Sequence, residues 1–166
     1  MVDEVPWEFQ SPHWRYLDEV ARAARRDEQS GASGMVVFNP GCVSSAAYLD
    51  LADITIVFED TYETFRGRVA SGVLPPLFLP QTPRHKPGPR LDDGRTSVGE
   101  AGKLGVVVHS VTQNISRSEM HDIINKVRKI GSTIFITEAS SHFYQHFSPQ
   151  WEQWIEALAK TATSGF

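Results

Sequence analysis

Residues 54–59 read Ile54-Thr55-Ile56-Val57-Phe58-Glu59. The run is apolar and β-branched, does not alternate, and stops at an acid. Unbroken runs of this kind fit strands of a parallel sheet, whose two faces are both covered. Three more follow the same rule: Met35 to Phe38 ahead of Asn39, Leu104 to His109, and Thr133 to Thr137 ahead of Glu138. Val2-Asp3-Glu4 reads as the end of another, with only Met1 before it, so the rest of that strand is expected upstream. Polar groups at the C-terminal ends of successive parallel strands point at one common mouth.

Helical patterns stand between these runs. Ser11 is placed to cap a helix with Pro12 at its first position and Trp14, Leu17, Ala21 and Ala24 on one stripe. Gly31 and Gly34 break it. Ser44 or Ser45 opens a short helix through Tyr48 and Leu51, and Thr61 to Val69 reads as another that stops near Gly72. Ser116 and Glu119 have capping-box spacing ahead of Ile123, Ile124, Val127 and Ile130. Ser148 and Pro149 open a last helix carrying Trp151, Trp154, Ile155 and Leu158. Strand and helix in alternation predict an α/β fold in a single domain over 1–166. The stretch 74–103 breaks the rhythm. It is rich in proline and glycine, with Arg84, His85, Lys86, Arg90 and Arg95 interspersed. It reads as a surface insertion or, more sharply, as a lid over the mouth.

Composition narrows the function. At 166 residues the chain can bury one core, and 40% hydrophobic with 22% charged residues argues against disorder. A net charge of −4 offers no field for nucleic acid or an anionic membrane. The local cluster Arg22, Arg25 and Arg26 reads as a solvated helix face. Cys42 is the single cysteine, so no internal disulfide forms, and its place after Asn39-Pro40-Gly41 suggests a bystander thiol. No apolar run reaches membrane-spanning length, and no signal-peptide pattern stands at the N-terminus.

The acids carry the chemistry. Glycoside hydrolysis needs two carboxyl groups about one bond, one to protonate the leaving oxygen and one to attack or to activate water. Asp3, Glu4 and Glu59 are the candidates. Val57 and Phe58 suit Glu59 to the acid role, and Asp3 beside Glu4 suits the ionised one. The alternative is that all three are strand-end acids capping the next helix. Asn39 can bond a sugar hydroxyl or form the turn before Pro40-Gly41. His109 can bind substrate or orient an acid, and Thr137 ends the last strand. Trp7 and Tyr62 each follow a carboxylate by three residues and can supply a ring for a sugar to lie on, or fill the core. Asp3, Glu4, Glu59 and His109 could ligate a divalent ion, but no HxH or HExxH spacing supports a metal site. No GxSxG elbow and no phosphate-binding glycine motif occurs, so no cofactor is expected.

Val2-Asp3-Glu4-Val5-Pro6, Phe38-Asn39-Pro40-Gly41, Tyr48-Leu49-Asp50-Leu51-Ala52-Asp53, Val57-Phe58-Glu59 and Val107-Val108-His109-Ser110 together resemble the spherulin-4 (spherulation-specific family 4) proteins in order and approximate spacing. The resemblance runs through most of the chain apart from the proline-rich stretch. It implies a (β/α)8 barrel of TIM type, of which this chain holds about the last four to five βα units. It also implies a secreted or cell-surface fungal glycoside hydrolase acting on α-1,4-linked N-acetylgalactosamine polymer. The family's Asp-Glu pair ends the fourth strand and its Glu ends the sixth. Those fall on Asp3, Glu4 and Glu59, while His109 ends the seventh strand and Thr137 the eighth.

The leading expectation is therefore a retaining, endo-acting hydrolase of an amino-sugar polysaccharide, possessing activity or having lost it as a fragment. Asp3 is the expected nucleophile, Glu59 the acid/base and Glu4 the electrostatic support, with Asp3 and Glu4 able to exchange roles. A non-catalytic carbohydrate-binding or cell-surface protein is the alternative. A metal-dependent hydrolase is a third possibility, which chelator sensitivity would reveal.

Overall fold

The computed structural model describes residues 1–6, 8–26, 34–74, 100–142, 144, 145 and 147–163. The stretch 75–99, which is most of the proline-rich segment, lies outside them, as do Trp7 and Gly31. Five strands, β1 (Val2–Asp3), β2 (Val37–Asn39), β3 (Ile54–Thr61), β4 (Leu104–His109) and β5 (Thr133–Ile136), form one sheet in sequence order, every pair parallel. Helices α1 (Ser11–Arg25), α2 (Ala46–Leu49), α3 (Tyr62–Ala70), α4 (Arg117–Arg128) and α5 (Trp151–Thr163) follow the strands in turn. This is an α/β fold with a parallel five-stranded sheet.

Helix starts obey local chemistry. Ser45 accepts from the Ala47 N–H, Thr61 from the Thr64 N–H, and Ser116 from the Glu119 N–H while Glu119 reaches back in a full capping box. Ser11 departs from its expected role. It lies inside α1, whose N-cap is Gln10 without a side-chain bond; Pro12 in the first turn sets the start instead. α4 ends at Arg128 with Lys129 as C-cap, and Gly131 follows where a Cβ would lie 2.3 Å from the Leu104 carbonyl oxygen.

Two apolar clusters cover the helix side of the sheet. Phe58, Leu104, Val106, Val108 and Ile136 meet Met120, Ile123, Ile124 and Val127 of α4 and Trp154 of α5. Val36 and Phe38 meet Leu17 and Ala21 of α1, with Tyr48 and Leu51. Burying each such side chain contributes about 1.5–3 kcal/mol. Ile155, expected on the buried stripe of α5, is 44% exposed, and Met35 is 66% exposed ahead of β2. Ala157 and Trp154 carry the α5 contact instead.

One irregularity decides which way Glu59 points. Ile56 pairs with Gly105, but Phe58 pairs with Val106, so Val57 is an extra residue in β3. Strict alternation would put Ile56 and Glu59 on opposite faces. The bulge reverses the parity and turns Glu59 to the face of its partner Val107, away from the helix-side cluster of Phe58 and Val106. β3 also continues to Thr61, so Glu59 does not terminate it as the sequence suggested.

Candidate functional site

Register collects polar groups on the face opposite the helix-side clusters. Asp3 pairs with Asn39, Glu59 with Val107, and Thr61 with His109. Asp3, Asn39, Glu59 and His109 therefore line one face near one end of four neighbouring strands. Asp3 and Glu4 are exposed, Glu59 is half-buried and Asn39 is buried.

The β2–α2 turn builds the centre. Gly41, at φ 64°, lets the chain reverse directly after β2. Its N–H donates to Asn39 Oδ1 over 3.1 Å, and its carbonyl accepts the Glu59 N–H over 3.1 Å. Asn39 is thereby held with its amide nitrogen toward β3, where Nδ2 donates to Glu59 Oε2. The sequence left Asn39 as a substrate binder or a turn former. It forms the turn and also grips the acid.

Glu4 stands at φ 54° and Ser110 at φ 55°, both left-handed and neither glycine. Such backbone is held at a cost of about 1–3 kcal/mol and gathers at functional sites. The Glu4 N–H donates to Asp3 Oδ1 over 3.1 Å, tying the acidic pair together. The loop behind them is anchored by Tyr48, whose buried hydroxyl donates to the Glu8 carbonyl and accepts from the Gln10 N–H. His109 Nδ1 lies 3.0 Å from Ser110 Oγ at the end of β4.

A residue that sequence reasoning missed completes the cluster. Tyr144, in the segment after β5, hydrogen-bonds both Glu59 and Asn39 through its hydroxyl and feels the charges of Glu59 and Asp3. Partial desolvation is the first cause, and the Glu59 contact the second, of a phenol pushed above its ordinary range. Its ring leans on Phe135, 5.7 Å between centroids. The available signal was the density of rings in His142-Phe143-Tyr144-Gln145-His146-Phe147, unusual for a connecting segment.

Two expected substrate contacts fall elsewhere. Tyr62 packs with the helix-side cluster, and the Arg66 guanidinium lies 5.7 Å above its ring. Thr137 is fully buried, its Oγ1 accepting the Ala139 N–H over 3.2 Å. Trp7 lies outside the described residues. Glu138 is buried too. It takes the Ser148 hydroxyl on Oε2 and the Trp154 indole N–H on Oε1 at 3.1 Å, tying the end of β5 to α5. Cys42 is half-buried, and desolvation raises its thiol above the ordinary value. Among the described residues no group of three or more His, Cys, Asp or Glu is placed to hold a metal ion. No helix among them is long and apolar enough to cross a membrane.

No curated protein matches the chain in sequence. Among solved structures, the chain is similar to Aspergillus clavatus Sph3, crystallised in complex with GalNAc, with a TM-score of 0.67 and 28% identity. The match covers 95% of this chain and 55% of Sph3, so the chain spans about half the length of that relative. The profile of spherulation-specific family 4 matches residues 1–158, and the chain belongs to that family.

Proposed function

We propose that the chain carries the acidic site of a retaining, endo-acting glycoside hydrolase for an amino-sugar polysaccharide such as α-1,4-linked N-acetylgalactosamine polymer. The observation that carries this reading is that Asp3 and Glu59, from strands separated by β2, share one sheet face, with Asn39 between them bonded to Glu59. Two carboxyl groups about one point are what cleavage of a glycosidic bond requires. The GalNAc complex of the similar Sph3 supports a sugar of that class. The all-parallel sheet in sequence order supports reading the five strands as consecutive units of a (β/α)8 barrel. Work on a polysaccharide outside the cell accords with secretion or display at the cell surface.

In this reading Asp3 attacks the anomeric carbon while Glu59 protonates the departing oxygen. Glu59 then takes a proton from the water that releases the sugar from Asp3. The Asn39 side-chain nitrogen can only donate, so Oε2 of Glu59 stays an acceptor and the transferable proton sits on Oε1. Glu4 supports Asp3 and orients the sugar, with Asp3 and Glu4 able to exchange roles. His109, on the same face, contacts the substrate.

Incubation with acetylated and de-acetylated galactosamine polymers tests the reading. New reducing ends should form with retained anomeric configuration, and Glu59→Gln should prevent them. Binding of polymer without cleavage would favour a non-catalytic carbohydrate-binding protein.

A further inference from the structure

Glu59, Val107 and Phe135 stand side by side in one row across β3, β4 and β5. Neighbouring strands lie about 4.8 Å apart, so the row spans roughly 10 Å. Tyr144 bridges it from above. Its ring rests against Phe135 at one end, and its hydroxyl reaches Glu59 at the other. Tyr144 is 51% exposed, so this bridge lies at the accessible surface of the carboxylate face. Asn39 bonds both Glu59 and Tyr144, which closes a triangle of three side chains drawn from β2, β3 and the segment after β5.

We propose that Tyr144 is the positioning residue for Glu59, holding its carboxyl group in place through both halves of the reaction. This rests on the hydrolase reading above. The two partners of Glu59 are not equivalent. Asn39 offers only N–H donors on this side, because its Oδ1 is occupied by the Gly41 N–H. A phenol hydroxyl both donates and accepts. It donates to Glu59 when that group is ionised, and it accepts from it when that group carries a proton not yet engaged by the sugar oxygen. The triangle therefore survives each proton transfer by rotation of one O–H bond, with no proton lost from Tyr144. A carboxyl held only by Asn39 would be free to swing about its last torsion, and small misplacements of a reacting group are costly.

Tyr144→Phe keeps the ring on Phe135 and removes only the hydroxyl. In the full chain, the Asn39 side-chain amide signals in the ¹H–¹⁵N spectrum should shift and exchange faster with water. On galactosamine polymer, kcat should fall roughly tenfold to a hundredfold, as for loss of one hydrogen bond to a charged group, with KM within about twofold. Tyr62→Phe should change neither reading, and the thermal midpoint of Tyr144→Phe checks that it folds. Asn39 amide signals that do not move, or an unchanged kcat, would overturn the positioning role. A wild-type protein that cleaves nothing while the Asn39 signals respond to Tyr144→Phe would instead defeat the hydrolase reading and leave the triangle standing.

Discussion

The side-chain amide of Asn39 donates to the carboxylate of Glu59 across two strands, and the same amide group is held from behind by the Gly41 N–H at 3.1 Å. The turn after β2 and the acid of β3 are therefore one mechanical unit. Replacing either end should disturb the other, which makes the site open to test by single substitutions.

Asn39→Ala removes the donor to Glu59 and the acceptor for Gly41. Loss of these two bonds and of the one to Tyr144 should destabilise the fold by about 2–4 kcal/mol. Polymer cleavage should drop at least about tenfold, because the acid loses its orientation. Asn39→Asp should be worse for activity, since it sets a second carboxylate against Glu59. Denaturant melts and initial rates measure both effects; an Asn39→Ala variant with full activity would show that the contact is incidental.

Tyr144 should reveal itself in alkali. Its phenol is raised above the ordinary 10.0 by burial, then by the bond and charge of Glu59 and the charge of Asp3. A group whose folded-state value is raised contributes stability that is fully present below its unfolded value and fades as pH climbs through the folded one. The contribution should therefore hold up to about pH 10 and disappear above it. In an ultraviolet titration, one of the four tyrosines should ionise last. Tyr144→Phe should remove that late phase, and Glu59→Gln should bring it to lower pH. Four phenols titrating together would contradict the cluster.

Glu138 is the acid that should matter for stability alone. Its carboxylate takes two buried donors, Ser148 Oγ and Trp154 Nε1. Glu138→Ala leaves the Ser148 hydroxyl hydrogen and the Trp154 N–H without their acceptor and should cost about 2–4 kcal/mol. Glu138→Gln keeps one acceptor for the indole and should cost less. Chemical denaturation gives the comparison, and an unshifted midpoint for Glu138→Ala would show that α5 does not depend on this tie.

The strands and most helix starts were legible because each rests on local chemistry. An unbroken apolar run, a capping serine and a proline in a first turn can all be read one segment at a time. The shared face of Asp3, Asn39 and Glu59 followed from strand ends, but its actual cause was hidden. The extra residue at Val57 reverses the parity of β3, and nothing in Ile56-Val57-Phe58 marks one of them as bulged. Tyr62 looked well placed by its spacing from Glu59, yet α3 turns its ring into the helix-side cluster. Tyr144 was unreadable for a different reason. It sits in a segment without periodicity and reaches Glu59 only because the sheet brings Phe135 into the same row.

The central claim is that Asp3 and Glu59 act on one glycosidic bond in different roles. Parallel kinetics of Glu59→Gln and Asp3→Asn on polymer and on an activated aryl glycoside test it most directly. Both variants should lose polymer cleavage by roughly a hundredfold or more, since an amide can neither give the proton nor attack. On the aryl glycoside, whose leaving group needs little protonation, Glu59→Gln should recover much of its rate in the first step and Asp3→Asn should not. Wild-type rates for Glu59→Gln on polymer would contradict the assignment outright.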